Sequence, residues 1–516
     1  MKQVLFIAAE NDALRNAKVG GVADVVRDLP AALAALGWGV TVAIPSYGLL
    51  HTAKGAKRIQ TLAVQYRGAV EKVDVWEVPG TYDAVTNIVF DHPLFAANGV
   101  GRIYFGDDAE RPFATDANKF ALLSAAAATW VEISKQKPDV VHLHDWHAAF
   151  YCLLREYSND YPSLKNVRTV FTIHNLSYQG IRPFVGDDSS LEAWFPDLDY
   201  DRDMIADPKY GNCLNPMLAA IRLADSVSTV SPSYAREICK PSDPDTGFVG
   251  GEGLEAVLGE AADDGRLSGV INGCYYDVQT RAVTWPDMLS AMRKQVAAWR
   301  QQQPQTSAHD YADKTLDSLT NKRPSTVLLS IGRLVSQKAT LLVAPSNSGT
   351  SALQQIIDAL DDDALLIVLG SGESIYEAAL ADMAAKTNKL LYLQGYSETL
   401  ADPLYALADL FLMPSSFEPC GISQMLAMRA SLPCVVHSVG GLKDTIADGE
   451  TGFGFTGNSL SDQSEAFVAT TLKAIALRKD KPGRYQKIRD AAGAQRFDWS
   501  DSARQTIAKL YGHDNG

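Results

Sequence analysis

Residues 326–339 read TVLLSIGRLVSQKA: an uncharged run, apolar but for one threonine and one serine, then a glycine and a helical pattern. A strand with no charged position and no apolar–polar alternation has no solvent face, so it belongs in a parallel sheet covered on both sides. The same alternation repeats in both directions from here. Towards the N-terminus, strands are expected at VLFIAA (4–9), GVTVAIP (39–45), KVDVWEV (72–78), NIVF (87–90), VVHLH (140–144), RTVFTI (168–173) and SVSTVSP (226–232). Towards the C-terminus they are expected at ALLIVLG (364–370), LLYLQG (390–395), LFLMP (410–414) and PCVVHS (433–438). Helical patterns such as GVADVVRDLPAALAAL (21–36) and QMLAMRAS (424–431) lie between them. Two such series predict an α/β chain of two doubly wound, Rossmann-like domains, with the seam in the polar stretch 255–322. The expected division is 1–265, 266–495 and a closing segment 496–516. Ligands bind beyond the carboxyl ends of parallel strands, and two domains facing each other make that edge a cleft.

Composition narrows the function classes. A length of 516 residues exceeds one ordinary core. A hydrophobic content of 46% with 21% charged residues is that of a soluble globular chain. A net charge of −14 argues against nucleic acid, which needs a basic stripe. An anionic ligand must therefore be met by a few placed cations and backbone N–H groups. The six cysteines show no C-x-x-C spacing and read as free thiols of a reducing compartment. The opening MKQVLFIAAEND is too short in its apolar run for a signal segment and reads as a first strand. No apolar stretch approaches the roughly eighteen residues of a membrane span, so no membrane association and a cytoplasmic location are expected.

Several stretches carry chemistry. Lys18 precedes Gly20 and Gly21, which open a helix after the first strand. Glycines there admit close backbone approach, and free N–H groups favour a phosphate. A plain flexible helix start is the alternative. Arg333 and Lys338 stand five residues apart between a strand and a helix. That is not a same-face helical spacing, so both reach one ligand only through a turn, which a strand-to-helix loop provides. Two converging cations suit a diphosphate, with two solvated surface cations as the alternative. In LMPSSFEPCGISQMLAMRAS (412–431), Pro414, Pro419 and Gly421 stiffen a loop that holds Glu418. Such a carboxylate suits vicinal sugar hydroxyls, or else the dipole of the helix that follows. Gly440 and Gly441 mark a second close backbone approach at a helix start.

VHLHDWH (141–147) sets His142, His144, Asp145 and His147 side by side. A zinc hydrolase pattern orders these as H-x-H-x-D-H, and here the aspartate is one place out. A strand sends His142 and His144 to one face, but no second cluster with ligand spacing follows, and a catalytic zinc needs three protein ligands. The expected reading is metal-free: HDWH and the HN of FTIHNLSYQG (171–180) are strand ends lining a sugar site. Asp145 then serves hydroxyls, Trp146 stacks on a ring, and His142 is a satisfied core histidine.

In order along the chain, KVGGVADVV, HDWHA, FTIHNLSYQG, TVSPSYAREI, GRLSGVING, GRLVSQK, SSFEPCGISQ and GGLKDT resemble the bacterial glycogen and starch synthases that use ADP-glucose, a retaining GT-B glycosyltransferase family. The resemblance runs end to end. It implies transfer of glucose from ADP-glucose to the 4-hydroxyl of an α-1,4-glucan, with no metal or other cofactor. It implies that Lys18, Gly20, Gly21, Gly440 and Gly441 contact the donor and that Arg333 and Lys338 hold its diphosphate. It also implies that Glu418 and His174 meet the transferred glucose with Asp145 in the same pocket, that the first domain takes the acceptor, and that FDWSDSARQTIAKLYG (497–512) is a helix crossing back to it. The chain departs from the family at Ala339, Leu218, Val439 and NGCYYD (272–277), expected to touch the edges of the site. LVAPSNSGTSALQQ (342–355) resembles an insertion. The rival readings are a zinc hydrolase, a non-catalytic sugar-nucleotide binder, and a transferase with another donor or acceptor. Oligomeric state leaves no mark in the sequence.

Overall fold

A computed structural model describes residues 1–276, 283–302 and 306–512. Asp277 of NGCYYD, residues 303–305 of the expected connector and the tail 513–516 lie outside the described residues. The chain divides into two compact units: unit 1 comprises 1–241, 250–273 and 498–516, and unit 2 comprises 242–249 and 274–497.

Unit 1 carries β1 (Gln3–Ile7), β2 (Gly39–Pro45), β3 (Lys57–Tyr66), β4 (Ala69–Glu77), β5 (Val85–Asp91), β6 (Val140–His144), β7 (Arg168–Ile173), β8 (Arg182–Pro183), β9 (Cys213–Leu214), β10 (Ser226–Thr229) and β11 (Leu267–Gly269). Nine of them form one sheet in the order β11-β10-β7-β6-β1-β2-β5-β4-β3, and β8 pairs with β9 apart from it. From β11 to β5 every neighbour is parallel, as the apolar runs predict. The far edge corrects that expectation, because β4 runs antiparallel to both β5 and β3. β3 escapes a search for apolar runs because KRIQTLAVQY is exposed at most positions and buries only Leu62, Val64 and Tyr66. That alternation marks an edge strand with one wet face.

Unit 2 holds β12 (Thr326–Ile331), β13 (Ala364–Gly370), β14 (Leu390–Gln394), β15 (Leu410–Met413), β16 (Cys434–His437) and β17 (Phe453–Phe455), parallel throughout in the order β14-β13-β12-β15-β16-β17. Successive side chains of a strand leave the sheet on opposite faces. Leu328, Leu366 and Leu412 accordingly join one buried core, and Val327, Leu329, Ile367 and Phe411 join the other. Two cores on one sheet are what the uncharged TVLLSI, covered on both faces, needs. The two strands overlooked in the sheets' parallel portions, β11 and β17, are only three residues long. The stretch resembling an insertion continues the helix Ser336–Val343 into a turn bridged from Pro345 to Ser351, and then opens the helix Ala352–Ala359.

The closing segment belongs to unit 1. Its helix Trp499–Thr506 widens into a π turn over Ile507–Tyr511. Trp499 lies against Gly273, where a Cβ would meet its ring at 2.5 Å. Ser502 Oγ donates to Ile271 O at 2.7 Å, and Arg168 Nε donates to Leu510 O at 2.7 Å. None of the six cysteines is in a disulfide. Among the described residues no helix is long and apolar enough to cross a membrane.

Candidate functional site

In unit 1 the sheet ends bring three expected site residues together. β6 stops at His144 and the helix Asp145–Tyr157 begins at once, so the chain turns within one residue. Asp145 makes that turn with φ +54°, a left-handed conformation that costs a non-glycine residue about 1–3 kcal/mol. Its carboxylate accepts from the N–H groups of His174 (2.7 Å) and Asn175 (3.3 Å), tying the end of β6 to the end of β7. Burial pushes the Asp145 carboxyl up to about 7 against the pull of those two donors, with the Glu10 charge adding to the rise. His174 is 8% exposed, and its Nε2 lies 2.9 Å from His144 Nδ1.

The remaining groups of the histidine stretch are occupied by the protein itself. His142 is bonded at both nitrogens, Nε2 to Thr172 Oγ1 (2.7 Å) and Nδ1 to the Tyr511 hydroxyl (2.9 Å), which makes it the satisfied core histidine of the sequence reading. The ring of His147 meets the edge of Phe120 and tilts against Tyr104. Burial brings His142, His147 and His174 down to about 3 and pushes His144 well below its ordinary value, so all four rings are neutral at pH 7. Among the described residues, no three His, Cys, Asp or Glu side chains are grouped to hold a metal ion. One expectation is corrected. Trp146 is 2% exposed and wedged among Phe113, Phe120 and Phe150, with a Cβ at Gly180 only 2.1 Å from its ring. It is core and has no face left for a sugar.

The glycine turn at 18–21 also has an internal partner. Gly20 caps the helix Gly21–Ala35, and the N–H groups of Val19 and Gly20 donate to Glu10 Oε2 at 2.5 and 2.7 Å. Tyr104 donates its hydroxyl to the other oxygen at 2.6 Å. Lys18 Nζ lies 2.7 Å from Asp24 and 3.2 Å from Asp12. The carboxylate of Glu10 thus sits where the sequence places a ligand anion. Glu10 follows the first strand directly, and its place just past that strand was the overlooked signal.

In unit 2 the loop 332–335 provides the turn that the Arg333–Lys338 spacing requires. Both residues line one small pocket with Gly332, Met413, Pro414 and Ser415. Arg333 is exposed and, among the described residues, in no ion pair. Lys338 Nζ is 2.9 Å from Glu418 Oε2, and Ser415 Oγ donates to the same oxygen at 3.0 Å. Glu418 is 6% exposed. Gln337 straps the two loops together: its Nε2 donates to Phe417 O (3.0 Å), and its carbonyl accepts from Ser416 N (2.8 Å). His437 Nδ1 donates to Ser415 O at 3.2 Å and its ring stacks on Phe455. Ser415, Gln337 and His437 were missed, although the first two lie inside quoted motifs.

Gly441 makes the close backbone approach expected at this helix start. Its N–H donates to Glu418 O at 3.0 Å, and a Cβ there would stand 2.3 Å from Cys420 O. The close approach is made by the chain's own loop. Gly440 has φ +45°, which favours glycine. Of the departures from the family pattern, Leu218 and Ala339 are each 1% exposed and belong to the buried core. Val439 is half-buried and caps the helix Gly440–Thr445.

Comparison with known proteins agrees along the whole chain. Residues 3–260 match the starch synthase catalytic domain family, and residues 325–476 match glycosyl transferases group 1. Glycogen synthase of Streptococcus equi subsp. equi is 33% identical over 99% of both chains. That of Gloeobacter violaceus is 32% identical, covering 94% of this chain and 92% of its own. The catalytic domain of starch synthase IV from Arabidopsis thaliana, bound to ADP and acarbose, superposes with a TM-score of 0.75 at 26% identity, over 99% of this chain and 98% of that one. A sucrose-phosphate synthase from Thermosynechococcus elongatus shares the fold alone, with a TM-score of 0.56 at 16% identity.

Proposed function

We propose that this chain, which belongs to the glycogen and starch synthase family, transfers glucose from ADP-glucose to the non-reducing 4-hydroxyl of an α-1,4-glucan, with retention of configuration and without a metal. The observation that carries the reading is the pair Arg333 and Lys338 on one pocket beside the buried Glu418. As the bond to the anomeric carbon breaks, the nucleoside diphosphate gains charge. Preplaced cations stabilise that charge where it develops, with no reorganisation needed at the moment of reaction. Arg333 brings a free guanidinium suited to a forked phosphate contact. Lys338 brings a point charge already oriented by Glu418.

In unit 1, His174 and Asp145 are the groups for the transferred glucose, and Lys18 with Gly20 and Gly21 for the donor. Residues 266–495 then form the donor side, with Gly440 and Gly441 at its edge, and residues 1–265 form the acceptor side. No carboxylate is assigned as a nucleophile. Attack from the leaving-group face through a short-lived oxocarbenium-like species accounts for retention, and exclusion of water favours transfer over hydrolysis. The deciding experiment is ADP release from ADP-glucose with and without a malto-oligosaccharide primer, run in EDTA. Primer-dependent release with chain extension supports the reading. Loss of release in EDTA overturns its metal-free part. No release from pure, folded protein with EDTA left out overturns the donor–acceptor pair, and UDP-glucose is then the next donor to test.

A further inference from the structure

The most unusual buried group in unit 1 is His144. Its Nδ1 is bonded to His174, whereas its Nε2 is fully buried and meets no hydrogen-bond partner among the described residues. An orphaned buried ring nitrogen is costly, and His144 lies on a cavity of about 20 Å³ whose polar lining includes His174, Thr172, Ser228, Asn272, Ser502 and Thr506. Strand register explains the grouping. His144 is the Cα partner of Thr172, and Thr172 is the partner of Ser228, so three polar side chains leave one face of the sheet in a row. The closing helix adds Ser502. Such a cavity holds one water, which needs about 10–15 Å³ and two to four polar partners.

Counting protons then fixes the direction of each bond. A neutral imidazole has one N–H and one lone pair. Ser228 donates its hydroxyl hydrogen to Thr229 O (3.1 Å), and Ser502 donates its own to Ile271 O (2.7 Å). Both therefore present only lone pairs to the cavity. A water that gives its hydrogens to those two hydroxyls accepts from His144 Nε2, which then carries the hydrogen of that ring. His144 Nδ1 is then the acceptor, His174 Nε2–H is the donor, and His174 Nδ1 is left as a bare lone pair. No hydrogen bond to that Nδ1 is made among the described residues.

We propose that His144 is a positioning residue: through one internal water it fixes the tautomer of His174, so that His174 offers Nδ1 as an acceptor to a substrate hydroxyl. The proposal rests on the reading that His174 meets the transferred glucose. Its role for that ring is distinct from catalysis, since His144 is 1% exposed and bonded to His174.

The test is the ¹⁵N spectrum of the full chain labelled at histidine, with His174 and His144 assigned from single-site variants. The expected result is a protonated Nε2 and an unprotonated Nδ1 on both rings. A protonated His174 Nδ1 in the unsubstituted protein overturns the proposal. H144F removes the acceptor. It is expected to mix the His174 tautomers and lower kcat about tenfold with the KM for the donor nearly unchanged. H144N, whose amide oxygen stands near the place of Nδ1, is expected to restore both. A folded H144F with unaltered His174 signals and turnover overturns the proposal. If H144F does not fold, the spectrum of the unsubstituted protein still decides. The spectrum needs no substrate, so the expected tautomer together with no glucosyl transfer counts against the synthase reading and leaves the positioning intact.

Discussion

The two units hold their candidate residues in opposite ways. Unit 1 collects neutral rings and a carboxyl raised to about 7, all buried and bonded to neighbouring protein groups: His142, His144, Asp145 and His174. Unit 2 presents formal charges at a pocket, with Arg333 exposed and Lys338 paired to Glu418. The difference teaches that one site residue can be inseparable from the core and another nearly independent of it. Substitutions in unit 1 act on stability and on the site together. In unit 2, turnover can be lost while the fold stays whole.

The largest expected effect tests the first half of that contrast. W146A empties a fully packed position and is expected to cost about 3–5 kcal/mol, read as a lower urea midpoint. A loss below about 1 kcal/mol would mean Trp146 is no core residue. Next comes R333A, expected to lower turnover roughly 10²–10³-fold with the urea midpoint unmoved, because Arg333 is exposed and, among the described residues, in no ion pair. Unchanged ADP release would break the assignment, and a shifted midpoint would break the contrast.

Acid sharpens the comparison further. For His142, His147 and His174 the folded pKa, about 3, lies below the ordinary 6.5. Each neutral ring therefore contributes its full stability above pH 6.5 and loses it as pH falls towards 3, by about 1.4 kcal/mol per pH unit for each. Asp145, raised to about 7, works the other way between pH 7 and 4 and offsets about one histidine's share. Hydrogen exchange at pH 7 and pH 5 is expected to show peptides from 140–175 losing protection ahead of peptides from 326–370. Simultaneous loss would show that the histidines do not govern acid stability. The smallest effect is Y511F, which removes the hydroxyl on His142 and is expected to cost about 1 kcal/mol by urea unfolding. No change at all would mean that the closing segment's hydroxyl contributes nothing to unit 1.

What the sequence disclosed follows from the same physics. Strands of unit 2 are legible because burial on both faces leaves no charged residue in TVLLSI or ALLIVLG. β3 was hidden because one of its faces is wet, and β8 and β9 because two residues carry no period. Arg333, Lys338 and Glu418 stand out locally, since each falls within a few residues after a strand end, in a loop or the first turn of the following helix. Their pairing does not, because Lys338 and Glu418 are 80 residues apart. Trp146 was misread because an aromatic beside polar residues has the same spelling whether it faces solvent or core. The partner of His142 lies 369 residues away and has no local signature.

That distance has a consequence in time. Unit 1 is written in pieces, and its last piece, 498–516, follows some 225 residues after Gly273, the glycine against which Trp499 lies. At a synthesis rate of about 5–20 residues per second, roughly 10–45 s separate the two. Throughout that interval the faces of His142 and Gly273 wait uncovered while unit 2 is made whole. Unit 2 can close as soon as its own chain has emerged, so the N-terminal unit is the last to be finished, and the ribosome delivers its final side chains only as it reaches the end of the described chain.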